Sequence, residues 1–259
     1  MYSNKLYSPL RYPGGKARFA PFVAELLRLN RLDGGHYLEP YAGGAGVALE
    51  LLFHDHVSDV HINDADPALY DFWWAVKNCP GEMIDLVMSQ QVSMDAWHYW
   101  RSVMLGETAA RQVERGFATL YMNRTNRSGI LKGGVIGGQK QEGDYLLDAR
   151  FNKEVIAGRI ERIANFADRI HIYCEDALNL VSRCRQFLPS RALIYLDPPY
   201  YYKGQGLYRN YYEHEDHQRI ASCLQQAKFP RPWVVSYDNV REVREMYLYA
   251  KSMRYSLHY

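Results

Sequence analysis

The chain has 259 residues, 47% hydrophobic and 23% charged, room for one α/β domain with a smaller inserted or appended one. No apolar run approaches the roughly 20 residues that span a bilayer, and residues 1–11 lack the apolar centre of a signal peptide. A net charge of +2 does not announce a nucleic-acid partner, so charge has to be read by place.

Cys79, Cys174, Cys184 and Cys223 form no C-x-x-C pair. They build neither a disulfide framework nor a zinc site, which points to reduced thiols in a cytoplasmic protein. The pairs His54/His56 and His214/His217 have no further ligands at metal spacing, so no metal is expected.

In chain order, the first element follows Arg11-Tyr12-Pro13-Gly14-Gly15-Lys16. Phe19, Phe22, Val23, Leu26 and Leu27 recur at the spacing of an amphipathic helix. Tyr37-Leu38 reads as a strand leading through Glu39-Pro40 into Tyr41-Ala42-Gly43-Gly44-Ala45-Gly46. Residues 47–53 resume a helical pattern, and Val60-His61-Ile62 is a second strand ending at Asn63-Asp64. That is a βαβ unit, which predicts a parallel sheet.

Residues 67–123 read as helical. Six of the nineteen glycines then fall between Gly129 and Gly143, so the helices end in a flexible or hairpin-like segment. Helical spacing returns over 153–166. Strand signals follow at Ile170-His171-Ile172-Tyr173, Leu193-Ile194-Tyr195-Leu196 and Trp233-Val234-Val235-Ser236, with helical stretches at 177–187 and 213–227 between them. The economical reading is a doubly wound, Rossmann-like α/β core over 1–66 and 153–259, interrupted by a mostly helical insertion over 67–152.

Two patterns carry chemistry. The loop Gly43-Gly44-Ala45-Gly46 joins a strand to a helix, where absent side chains let a ligand approach the backbone. Asp64, an acid at the tip of the next strand, is placed to accept both hydroxyls of a ribose. Together they point to an adenosine-containing cofactor without saying which. The second pattern is Asp197-Pro198-Pro199-Tyr200, directly after an apolar strand. Two prolines cannot continue a ladder, so the chain turns at the carboxyl edge of the sheet, where open α/β folds bind ligands. The Asp197 carboxylate and Pro198 carbonyl can accept hydrogens from an aromatic amine and free its delocalised lone pair. Tyr200 offers a face on which a base swung out of a helix can stack.

Charge adds a third signal. Between residues 111 and 140, Arg111, Arg115, Arg124, Arg127, Lys132 and Lys140 face one acid, Glu114. That excess suits phosphate contact; a solvated helix face followed by a loose loop fits it equally.

These residues, in this order, resemble the Dam-like family of DNA adenine methyltransferases, in which cofactor motifs precede the recognition region and the catalytic motif follows. Tyr12-Pro13-Gly14-Gly15-Lys16 resembles the opening motif, and Glu39-Pro40-Tyr41-Ala42-Gly43-Gly44 the glycine motif. Asn63-Asp64 stands for the ribose-binding acid, Asp176 for the acid that meets the cofactor adenine, and Asp197 to Tyr200 for the catalytic motif. The resemblance implies S-adenosylmethionine as methyl donor, held by Tyr12, Lys16, Glu39, Tyr41, Gly43, Gly44, Asp64, Asp176 and Asp197. Asp197, Pro198 and Tyr200 would carry catalysis on a flipped adenine in duplex DNA. The segment around Asn123-Arg124-Thr125-Asn126-Arg127 resembles the family's DNA-contacting region more loosely, and implies Arg124, Asn126, Arg127, Lys132 and Lys140 as DNA contacts. The motifs depart from the family at Tyr12-Pro13, in place of Trp-Ala in some members, at Ala45, where many have glycine, and at Ala177, where an aromatic is often found. The implied setting is the cytoplasm, at a bacterial or phage nucleoid, with a restriction partner as one context.

Other readings fit less of the chain. An RNA or protein-glutamine methyltransferase more often carries Asn in place of Asp197, and a nicotinamide dehydrogenase gives no reason for Asp-Pro-Pro-Tyr. A catalytically weak DNA-binding subunit of a defence or regulatory complex would not need Asp197 and Lys16 intact. Tyr255-Ser256-Leu257-His258-Tyr259 alternates like the start of a strand. A strand ending there leaves an edge that self-association or a partner protein would cover, while simple fraying is the other reading.

Overall fold

A computed structural model describes residues 7–11, 16–202 and 212–255. The described strands form one five-stranded sheet of order β3-β2-β1-β4-β5: β1 (Gly35–Glu39), β2 (Val57–Asn63), β3 (Ile170–Tyr173), β4 (Ala192–Leu196) and β5 (Trp233–Val235). β1 pairs in parallel with β2 on one side and β4 on the other, and β4 pairs in parallel with β5. This is the Rossmann-like α/β sheet expected. Strand order reverses between β1 and β4, so the crevice beyond their carboxyl ends is the topological switch point.

By internal packing the chain divides into two compact units, one of Lys16–Ala65 with Glu175–Tyr259, the other of Asp66–Cys174 with residues 7–11. The second unit therefore runs past residue 152, where the sequence pattern places its end. Within the first unit β4 is buried along its whole length, as its unbroken Ala-Leu-Ile-Tyr-Leu run requires of a strand covered on both faces. Helix α1 (Ala20–Leu29) buries Ala20, Val23, Ala24 and Leu27 and turns the Glu25–Arg28 pair to solvent. Helix α2 (Gly46–Phe53) is apolar on every side but Glu50 and buries seven of its eight residues, the signature of a helix inside the core.

The second unit holds α3 (Pro67–Asn78), α4 (Pro80–Ser89), α5 (Met94–Leu105), α6 (Gln112–Thr125) and α7 (Lys153–Ala164). Their starts are written in the sequence. Asp66, Ser93 and Asn152 accept from Ala68 N, Ala96 N and Val155 N, capping α3, α5 and α7. Gly116, inside α6, allows a close crossing: a Cβ there would lie 2.5 Å from the Asp71 carbonyl oxygen and 2.7 Å from Ala75 Cβ on α3. After α6 the chain turns back. Asn126 bridges Val135 in antiparallel fashion, and Ile136 N donates to Thr125 O at 2.9 Å, the hairpin-like segment that the glycines announce.

The helices read over 177–187 and 213–227 are shorter than the sequence pattern. The stretch read as 177–187 is α8 (Ala177–Ser182) followed by a 3-10 turn at Cys184–Gln186, because i→i+3 bonds tighten its end: Phe187 N donates to Cys184 O. Helices α9 (His214–Leu224) and α10 (Arg241–Met246) follow in the first unit. Residues 256–259, which the alternating pattern assigns to a strand, lie outside the described residues.

Candidate active site

The Asp-Pro-Pro-Tyr turn leaves β4 at the carboxyl edge of the sheet. Asp197 sits in a recess, its side chain 26% exposed. Its Oδ1 receives the Lys16 ammonium in a short ion pair and the Ser236 hydroxyl at 2.9 Å. Lys16, 8% exposed, also donates to Ser236 Oγ at 2.9 Å, and its Nζ lies 5.7 Å from the centre of the Tyr200 ring. Burial raises the Asp197 pKa above the ordinary carboxylate value, while the Lys16 charge and the bonds from Lys16 and Ser236 pull it back. The contacts converge on Oδ1; among the described residues Oδ2 takes no hydrogen bond. Pro198 is buried and Tyr200 half-buried.

The glycine loop lies beyond β1. Gly43 takes φ +47°, and so does Ala45, a left-handed position rare for a residue with a side chain. Gly44 is buried. Gly43 N donates to Asp64 Oδ2 at 3.1 Å, which locks the acid at the end of β2 to the loop. Asn63 beside it ties two further segments: its amide donates to Pro40 O and Glu175 O, and its Oδ1 accepts from Glu175 N at 2.9 Å. The sequence pairs Asn63 with Asp64 as one motif; their side chains do different work. Tyr41 donates to the Tyr212 hydroxyl at 3.0 Å, and burial, then Tyr212, holds its own hydroxyl above the ordinary phenol range. Asp176 is exposed and caps α8 through Asn179 N at 3.1 Å.

Glu39 faces inward. Its Oε1 accepts from Tyr37 OH and from Ala48 N, each at 3.0 Å, so it secures the first turn of α2 under the glycine loop. Burial pushes its carboxyl up to about 8, against the pull of those two hydrogen bonds.

In the second unit, two residues expected at DNA turn into the fold. Arg124 is buried, its guanidinium on the Pro9 carbonyl and, at 3.5 Å, on that of Arg150. Burial, with Arg159 and Arg11 nearby, pushes it down to about 9. Asn126 is fully buried; its Oδ1 accepts from Trp97 Nε1 and its amide donates to Ile130 O and Leu131 O. Arg124 thus ties α6 to the Pro9 and Arg150 carbonyls, and the Asn126 amide holds the hairpin. Of the other basic residues, Arg111 pairs with Glu82 and Arg115 with Asp71. Arg127, Lys132 and Lys140 are exposed. Tyr12 lies outside the described residues.

Sequence reasoning missed Ser236 and Tyr212. Ser236 is visible only as the residue after a strand, and its meaning comes from β5 lying beside β4.

A family model for D12 class N6 adenine-specific DNA methyltransferases matches residues 12–258. Comparison with individual curated proteins gave no match.

Proposed function

The chain belongs to the D12 class of N6 adenine-specific DNA methyltransferases, and on that premise we propose which of its groups bind the cofactor, hold the target base and touch DNA. The enzyme methylates adenine N6 in DNA with S-adenosylmethionine as donor. When bound, the cofactor supplies a methyl group on a positively charged sulfur.

The donor set fits that cofactor. Gly43 and Gly44 leave the loop above α2 open to a ligand, and Asp64, registered to the loop by the Gly43 N bond, suits ribose hydroxyls. Tyr41, Asp176 and Tyr12 are assigned to the same ligand. Glu39 supports it indirectly, through the loop it pins.

The single observation that carries the catalytic reading is the one-sided bonding of Asp197. With Oδ1 held by Lys16 and Ser236, Oδ2 is left to accept a hydrogen from the target amine. The Pro198 carbonyl is the second acceptor. Two acceptors draw the amine nitrogen toward tetrahedral geometry, localise its lone pair and hold its hydrogens as positive charge develops, and such preorganised groups act mainly in the transition state. Tyr200 supports a base swung out of duplex DNA by stacking. Arg127, Lys132 and Lys140 are the proposed DNA contacts of the helical region over 67–152.

No described helix is long and apolar enough to cross a membrane. The cytoplasmic setting rests on the free cysteines, and pairing of a second copy or a partner protein at the β5 end of the described sheet is the proposed protein contact. The catalytic reading is tested by Asp197→Ala: methyl transfer should fall by about a hundredfold or more, while S-adenosylhomocysteine still binds, more weakly, in a calorimetric titration.

A further inference from the structure

Beyond β5, residues 236–240 have no regular secondary structure: Ser236 N donates to Leu196 O at 2.9 Å, and Val240 N donates to Asp238 O at 2.9 Å. Ser236 and Asp238 meet the two ends of the Asp-Pro-Pro-Tyr turn: Ser236 Oγ donates to Asp197 Oδ1 at 2.9 Å, and Asp238 Oδ1 accepts from Tyr201 N at 3.2 Å. Tyr237, between them, engages α9 instead, its hydroxyl 2.9 Å from Nδ1 of the buried His217 and its ring 5.5 Å from that imidazole.

The Ser236 hydroxyl is saturated. It has one hydrogen to give and two lone pairs. Asp197 takes the hydrogen, Lys16 donates to one lone pair, and the Tyr195 hydroxyl at 2.9 Å must donate to the other. A hydroxyl with every direction occupied has one rotamer, and it fixes which oxygen of Asp197 stays open. Asp238 does the corresponding task for backbone, since the Tyr201 amide adjoins the Tyr200 carbonyl and sets how that residue leaves the turn.

We infer that Ser236 and Asp238 are positioning residues, joined in one strap, that align the two halves of the catalytic turn: Ser236 the carboxylate of Asp197, Asp238 the ring of Tyr200. The inference rests on the roles assigned to Asp197 and Tyr200, and neither strap residue need touch substrate. Its two arms make different losses. Ser236→Ala frees the Asp197 carboxylate to rotate, so kcat falls about tenfold or more with KM for DNA and cofactor within about twofold; Ser236→Thr, which keeps the hydroxyl, recovers most of the rate. Asp238→Ala loosens the Tyr200 side, so the fluorescence rise of 2-aminopurine placed at the methylated adenine shrinks, and Asp238→Asn, which keeps the acceptor, restores it.

The experiment is steady-state kinetics, 2-aminopurine fluorescence and thermal melting on these four full-chain variants, with Tyr200→Ala alongside. The strap is supported if rate and base-flipping signal separate as described and the conservative variants recover. It is overturned if Ser236→Ala turns over within twofold of the parent, or if rate and both KM values worsen together in both Ser236 variants with a matching loss of melting temperature. It is equally overturned if Asp238→Ala keeps the full flipping signal. In that case a signal lost in Tyr200→Ala leaves the stacking role standing, whereas a signal retained there removes the stacking role as well.

Discussion

If Asp197 carries the chemistry as proposed, its surroundings set a pH dependence. Burial raises its pKa, and Lys16 and Ser236 only partly offset that. An acceptor for amine hydrogens has to be ionised, so kcat should fall toward acid with a midpoint above the ordinary aspartate value of about 3.9. Lys16→Met removes the largest opposing influence and should move that limb to higher pH; a pH–rate profile with no acid limb, or one unmoved by Lys16→Met, contradicts the assignment. Tyr200 is separable by shape. Stacking on an aromatic face is worth about 1–3 kcal/mol per base and needs no hydroxyl. Tyr200→Phe should therefore stay close to the parent on duplex DNA while Tyr200→Ala loses activity, and equal damage from both would remove the stacking role. The place of Asp197 and Tyr200 at the end of β4 was legible in the sequence because an apolar strand stopped by two prolines can only end at a sheet edge. Ser236 was not, because a serine after a strand acquires its partners from the neighbouring strand, which linear pattern does not specify.

At the scale of elements, α6 shows how charge misleads. Arg124 and Asn126 sit in a basic stretch and read as DNA contacts, yet residues 116–126 are all buried. Phe117, Ala118, Leu120, Tyr121 and Met122 crowd this end of α6 with apolar groups, and that crowding was the available sign that its polar neighbours also lie inside. Arg124→Ala would strip the Pro9 carbonyl of a charged donor, so it should lower stability by about 1.5–3 kcal/mol in urea unfolding rather than relax sequence preference. Gly116→Ala should also destabilise, by about 1–3 kcal/mol, since the added Cβ meets α3 backbone at 2.5 Å; a stability unchanged by that substitution would mean that α3 and α6 are further apart. Under the glycine loop, Glu39 couples fold to pH. Its folded-state value of about 8 exceeds that of an unfolded glutamate, about 4.3. Between those values the folded chain binds more protons than the unfolded one, so stability falls as pH rises, by at most about 1.4 kcal/mol per unit from this group. Glu39→Gln should flatten that part of the slope between pH 5 and 8, and an identical slope in the variant would contradict the burial of an ionisable group there.

At the scale of the whole molecule, the parallel sheet and its helices follow from alternating strand and helix patterns. Less legible was where the second unit ends, because α7 and β3 carry ordinary helix and strand patterns and only three-dimensional packing assigns them. DNA binding belongs to this scale. If Arg127, Lys132 and Lys140 neutralise phosphates, each alanine variant should weaken binding to all sequences alike and reduce the salt slope of log K by about 1; a base-reading residue among them would instead relax preference at one position by about 1–3 kcal/mol. The most direct test of the account is mass spectrometry of nucleosides from DNA incubated with isotopically methyl-labelled S-adenosylmethionine and either the parent chain or Asp197→Ala. The parent should give labelled N6-methyladenine and the variant a yield lower by about a hundredfold or more, with both proteins folded and both binding S-adenosylhomocysteine. Label on cytosine, no labelled adenine from the parent, or near-parental yield from Asp197→Ala would contradict it.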